Sequence, residues 1–103
     1  MIDLHLHSSF SDGSHSPEEV VELGAAAGMS AMALTDHDTA SGVPRFLAAA
    51  AARGIRAVSG LELSVEVPAR TVHILAYGFD TDDAMLNSAM DDVRDGRKRR
   101  NAE

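Results

Sequence analysis

Four histidines and two carboxylates in this chain are spaced so that they can bind metal. Asp3-Leu4-His5-Leu6-His7 closes a short apolar run near the N-terminus, and a β-strand places residues i and i+2 on one face. His5 and His7 therefore form half of a metal site, since neutral imidazole is the commonest protein metal ligand. Asp12 follows in the loop Ser8-Ser9-Phe10-Ser11-Asp12-Gly13, and Thr35-Asp36-His37-Asp38, Glu62 and His73 each lie at or near a later apolar run. His5, His7, Asp12, His37, Glu62 and His73 are six N/O donors, more than a single catalytic zinc takes. With no thiolate among them, the set points to two or three divalent ions such as Mn, Fe or Zn. A cluster of that kind suits phosphoester hydrolysis, where it acidifies a water and clamps the attacking and leaving oxygens.

The elements that would hold these residues can be read from the chain. Ile2–Leu6 reads as a buried strand. Ser16-Pro17-Glu18-Glu19 is a helix start, with Ser at the N-cap, Pro in the first turn and Glu19 completing a capping box. Gly28 is placed to end that helix. Ala31–Leu34 is a second strand, Pro44 opens a second helix that Gly54 ends, and Ile55–Ser59 is a third strand leading to Glu62. The order βαβαβ, with crossovers of about ten residues, predicts a parallel sheet in an α/β fold. Functional residues of such folds gather at the carboxyl ends of the strands. Val65–Val67 and Val72–Tyr77, flanking Pro68-Ala69-Arg70, predict a hairpin. Asp80–Asn101 predicts a last helix with acidic residues leading and Arg94, Arg97, Lys98, Arg99 and Arg100 closing it, as the macrodipole prefers.

Composition narrows the class. The 103 residues make one small domain or part of one, 45% hydrophobic, aromatic-poor and without cysteine, which excludes disulfides and thiolate ligands. No apolar run approaches the roughly 18 residues that span a membrane, and the N-terminus lacks a signal-peptide pattern, so a cytoplasmic protein is expected. The net charge is −7. Residues 1–93 carry 14 acidic and 4 basic side chains, whereas residues 94–103 carry 5 basic and 2 acidic ones. An acidic body is a poor non-specific nucleic-acid binder and a suitable host for cations.

Taken in order, Asp3-Leu4-His5-Leu6-His7-Ser8 with Ser11-Asp12-Gly13, then Leu34-Thr35-Asp36-His37-Asp38-Thr39, then Gly60-Leu61-Glu62-Leu63-Ser64, then His73-Ile74-Leu75-Ala76-Tyr77-Gly78, resemble the early motifs of the PHP (polymerase and histidinol phosphatase) superfamily of metal-dependent phosphoesterases. The wording of the first two motifs is most similar to small bacterial enzymes that act on nucleoside 3′,5′-bisphosphates or trim RNA from its 5′ end. The resemblance implies the N-terminal portion of a distorted (β/α)7 barrel, residues 1–103 forming that part of a PHP domain. It also implies a trinuclear site: His5, His7 and Glu62 on one metal, Glu62 bridging to a second that His73 binds, and Asp12 with His37 on the third. A hydroxide held by the metals, with no side chain as nucleophile, would attack a phosphomonoester of a nucleotide or a nucleic-acid 5′ end. Family members are more than twice as long and add ligands near the C-terminus, yet no histidine follows His73. The site is therefore expected to be incomplete in this chain. The missing strands would leave an open sheet edge, favouring a homo-oligomer or strand exchange.

Competing readings stand beside these. Asp36 and Asp38 either orient His37 from behind or make local turns and caps. Asp3 shares the face of His5 and His7 or pairs with a basic group. His15 is expected to be exposed, Ser8, Ser9 and Ser11 to be loop residues within reach of phosphate, and Met29, Met32, Met85 and Met90 to fill the core. The basic run reads as a solvated helix end favoured by the dipole, with attraction of phosphate or nucleic acid as its rival. Two other functions remain: a non-catalytic metal-binding or scaffolding PHP module, and an amidohydrolase-type metalloenzyme. The second needs a ligand lysine, and the single lysine is Lys98 in the basic run.

Overall fold

The computed structural model describes residues 1–102, with side chains through Gly96. Eight elements follow in the order β1 (Ile2–Leu6), α1 (Pro17–Ala26), β2 (Ala31–Leu34), α2 (Val43–Ala52), β3 (Arg56–Val58), β4 (Gly60–Val67), β5 (Arg70–Tyr77) and α3 (Ala84–Ala102). The expected parallel βαβαβ unit is present: β1 pairs with β2 and β2 with β3, all parallel. β4 and β5 form a separate antiparallel hairpin around a two-residue Pro68-Ala69 turn, with Ala69 at φ 73°. Among the described residues the two sheets meet at a single parallel bridge, His37 with Glu62, and no closed barrel is formed.

Local sequence accounts for the helices. Ser16 accepts the Glu19 N–H at 3.1 Å while Glu19 accepts the Ser16 N–H, the expected capping box. In α2, Val43, Phe46 and Ala50 recur at helical spacing and are buried. They meet Val20 and Val21 of α1, Met32 and Leu34 of β2, and Leu61 of β4 in one core. Fully burying a side chain such as Leu34 or Phe46 contributes about 1.5–3 kcal/mol. Two ion pairs join α1 to α2, Glu18 with Arg45 and Glu22 with Arg53. The hydrogen bond from Arg45 holds the Glu18 carboxyl below the ordinary carboxylate range. That pair favours the fold above the ordinary carboxylate pKa and weakens as the pH falls. Because both groups are exposed, its effect on stability is small.

Three expectations are corrected. Glu62 does not follow β3; it sits inside β4, because the chain breaks only at Ser59 before a new eight-residue strand starts at Gly60. α3 begins at Ala84, since Asp83 caps it by accepting the Leu86 N–H at 3.0 Å and Asp80 is used in a turn on Asp82. Met85 is 84% exposed, whereas Met32 and Met90 are buried. α3 docks through Leu86 and Met90, and Met85 is rotated about 100° off that face. The side chains of Arg97, Lys98, Arg99 and Arg100, expected at the basic helix end, lie outside the described residues. No helix among the described residues is long and apolar enough to cross a membrane.

Candidate metal centre

The carboxyl ends of β1 and β2 and the start of β4 converge on Glu62. In the β1–β2 register, Asp3 faces Met32 and Leu6 faces Leu34, so β1 carries one extra residue across this interval. This bulge turns Asp3 back onto its own strand, where it accepts the His5 N–H at 3.1 Å. Beyond β2, the Glu62 N–H donates to the Asp36 carbonyl and the Asp38 N–H donates to the Glu62 carbonyl, at 3.0 and 2.9 Å. These two bonds hold His37 beside Glu62.

The Glu62 carboxylate is 8% exposed and imidazoles surround it. His5 Nε2 lies 2.7 Å and His7 Nε2 3.7 Å from Oε1, while His37 Nδ1 and His73 Nδ1 both lie 3.2 Å from Oε2. Asp12 stands on the other side: Oδ2 is 3.2 Å from His37 Nε2 and Oδ1 is 3.6 Å from His7 Nδ1. The rings pack on one another, His7 and His37 stacked with centroids 4.6 Å apart. Three overlapping donor groups result, each with atoms within 4.8 Å: His5/His7/Glu62, His7/Asp12/His37 and His37/Glu62/His73.

The residues fit divalent metal on an observation beyond their types. His7 Nδ1 is buried and has no hydrogen-bond partner among the described residues. Leaving such an atom unsatisfied costs about 1–3 kcal/mol, and a cation in the His7/Asp12/His37 group would supply the missing partner. Imidazole and carboxylate donors suit Mn, Fe and Zn alike.

A model of the PHP domain matches residues 3–95. The chain belongs to the PHP domain family. It is 43% identical over 99 residues to a 3′,5′-nucleoside bisphosphate phosphatase of Chromobacterium violaceum, covering 96% of this chain and 35% of the relative. It is 36% identical over 101 residues to a 5′-3′ exoribonuclease of Haemophilus influenzae, covering 98% and 37%. Among solved structures, a sulfate-bound, metal-free amidohydrolase of C. violaceum superposes with a TM-score of 0.89 at 44% identity, covering 93% of this chain and 34% of that one. A protein of Bifidobacterium adolescentis described as a candidate metal-dependent phosphoesterase superposes with a TM-score of 0.88 at 31% identity, covering 97% and 35%. The chain spans about a third of the length of the curated relatives it matches.

Within this PHP domain the six sequence-predicted donors come together, and the two aspartates flanking His37 make contacts with residues distant in the chain. Asp36 is buried and reaches away from the ring: Oδ1 accepts the Ser8 N–H at 2.6 Å and the Ser11 hydroxyl at 2.8 Å, and Oδ2 accepts the Ser8 hydroxyl at 2.6 Å. It clamps the loop that carries His7 into Asp12. The reason is geometric, since Asp36 and His37 are adjacent in extended chain and point to opposite sides. Asp38, at φ 55°, accepts the Ser64 N–H at 2.7 Å and ties β4 to the β2 rim. Ser8 and Ser11 are thereby committed to Asp36, and His15 sits outside the cluster, 3.6 Å from Glu19 on the surface.

Gly13 closes the Asp12 loop by close approach. A Cβ there would stand 2.6 Å from the His7 carbonyl oxygen, a backbone atom that cannot rotate away. Gly13→Ala is therefore expected to displace Asp12 and weaken Mn binding by about tenfold, the lower end of what disturbing a ligand's support costs. Titration of the variant with Mn, followed by the free-ion resonance signal, checks this.

Proposed function

We propose that this PHP domain hydrolyses a phosphoester with the help of two or three divalent metal ions, the substrate being a phosphomonoester of a nucleotide or of a nucleic-acid 5′ end. The observation that carries the proposal is Glu62, a buried carboxylate within 3.7 Å of four imidazoles and shared by two of the three donor groups. The relatives named as a bisphosphate phosphatase and an exoribonuclease support the substrate class. His5, His7 and Glu62 would hold one ion, His37, Glu62 and His73 a second, and Asp12 with His37 and His7 a third. Such ions lower the pKa of water and offset charge on a phosphoryl group.

The remaining work falls to the chain. Glu62 fixes the spacing between two donor groups. The Asp36–Ser8 clamp keeps Asp12 facing His37. The bridge between β2 and β4 holds His37 and Glu62 together. We place this segment as the opening portion of a distorted (β/α)7 barrel, acting in the cytoplasm. Self-association, by strand exchange or docking of a second copy, we place at the open edge of β1, where Ile2 and Leu4 are exposed.

Metal uptake measured by elemental analysis, with phosphate release from adenosine 3′,5′-bisphosphate, tests the reading. The wild-type chain should take up at least one Mn per molecule, and His37→Ala should lose more than about tenfold in affinity. Uptake that His37→Ala leaves unchanged would remove the site assignment. Mn uptake without phosphate release, in this chain and in a full-length relative carrying the same motifs, would favour the scaffolding module.

A further inference from the structure

His5 and Glu62 stand 2.7 Å apart, yet they belong to different sheets. The strand ladder does little to fix His5. It lies in the interval where the β1–β2 register slips by one residue, and its side chain is 53% exposed. A bulge of this kind leaves its extra residue out of the ladder. The imidazoles of later elements are better held, His37 by the bridge to Glu62 and His73 by the pairing of β5 with β4.

A side-chain bond from the hairpin reaches this interval. The Tyr77 hydroxyl donates to the Leu4 carbonyl at 2.6 Å, one residue before His5. Across the β4–β5 ladder Tyr77 pairs with Gly60, Leu75 with Glu62 and His73 with Ser64. Side chains alternate along each strand and match across the ladder, so Tyr77 shares a hairpin face with Glu62 and His73. Gly60 makes the reach possible. A Cβ there would stand 2.7 Å from the Leu34 carbonyl oxygen and 3.4 Å from the Tyr77 ring. Without one, the hairpin abuts the end of β2 and the ring crosses Gly60 toward β1.

We infer that Tyr77 is a positioning residue of the metal centre, its hydroxyl tying β1 to the hairpin and setting the separation of His5 from Glu62. The inference rests on the metal-dependent reading of the site and adds a residue to it. Tyr77 acts through the Leu4–His5 peptide and not as a ligand. Its effect therefore falls on the His5/His7/Glu62 group.

Mn titrations of Tyr77→Phe in the wild-type, His73→Ala and His5→Ala backgrounds provide the test. The substitution removes one oxygen from a half-exposed ring, and circular dichroism should show the wild-type fold. In the wild-type background it should weaken Mn binding about fivefold, the share of one neutral hydrogen bond. The same loss should recur in His73→Ala. In His5→Ala it should change nothing further, because the donor through which Tyr77 acts is gone. A strut that only supports the hairpin predicts an equal loss in all three backgrounds, and that result overturns the inference. So does an unchanged affinity in folded Tyr77→Phe.

Coupling is reciprocal, so metal should tighten this tether as the tether tightens metal. Tyr77 is the single tyrosine of the chain, and fluorotyrosine supplied during expression labels it alone. Its fluorine resonance should shift when Zn saturates the wild-type chain and stay in place when Zn is added to His5→Ala. This measurement decides if Tyr77→Phe does not fold or His5→Ala takes up no Mn. A resonance that ignores Zn in the wild type, or that shifts equally in both chains, overturns the inference. A wild-type chain that takes up neither ion overturns the metal reading itself, a failure distinct from uptake that Tyr77→Phe leaves unchanged.

Discussion

Glu62→Gln is expected to abolish high-affinity metal binding while leaving the metal-free protein close to wild-type stability. The amide keeps the shape of the side chain and can still exchange hydrogen bonds with the imidazoles now 2.7–3.7 Å away. It is a poor ligand, however, and two of the three donor groups pass through this residue. Disturbing only the partners of a ligand already costs about 10–100-fold in affinity, so loss of a shared ligand should exceed about 100-fold. Thermal denaturation reads the effect without reference to activity. Mn at a hundred times its dissociation constant should stabilise the wild-type chain by about 2.7 kcal/mol, and the variant should show no such rise at the same concentration. A full Mn-induced shift in Glu62→Gln would mean that the ions sit elsewhere.

Asp36→Ala should be the most destabilising single change at the rim, although Asp36 touches none of the imidazoles in the contacts described. Its two buried oxygens receive three hydrogen bonds of 2.6–2.8 Å from Ser8 and Ser11. A hydrogen bond to a charged group contributes about 1.5–3 kcal/mol, and a buried donor left without a partner adds its own desolvation cost. A loss of about 3–5 kcal/mol follows, a large part of the roughly 5–15 kcal/mol that holds a domain together. For a chain of this size Tm should fall by about 15 °C or more. Asp36→Asn should fall between the two, since its amide oxygen can still accept from the Ser8 N–H. Scanning calorimetry gives the stability, and a parallel Mn titration should show the Asp12 side of the centre weakened, because the loop that presents it is released. A Tm within a few degrees of wild type would show that the clamp contributes little.

These two residues also show how far the chain can be read without its structure. The six donors could be picked out because strand periodicity, turn chemistry and motif order act over short stretches. His5 and His7 are two apart at the end of an apolar run, and His37, Glu62 and His73 lie at or near later ones. The capping box at Ser16, the parallel βαβαβ order and the hairpin likewise depend on neighbours in sequence, and the structure contains all three.

What the tertiary structure alone decided were contacts between residues far apart in the chain. Asp36 could be read as a partner of His37 or as a local turn or cap residue, yet it binds Ser8 and Ser11, 28 and 25 residues away, because adjacent side chains in extended chain diverge. Glu62 was legible as a candidate ligand, but its place within β4, with four imidazoles around it, depends on the bridge that joins two separate sheets. Arg94 belonged to a basic run that reads as solvated helix end. Only the docking of α3 through Met90 brings its guanidinium to the Asp38 carbonyl and into an open cavity beside Asp12. The sequence by itself determined which residues carry metal-donor atoms, since ligand chemistry is a property of residue type. Which of them stand close enough to share an ion, and which brace the others, was decided by strand register and helix docking, where a shift of one residue changes every contact.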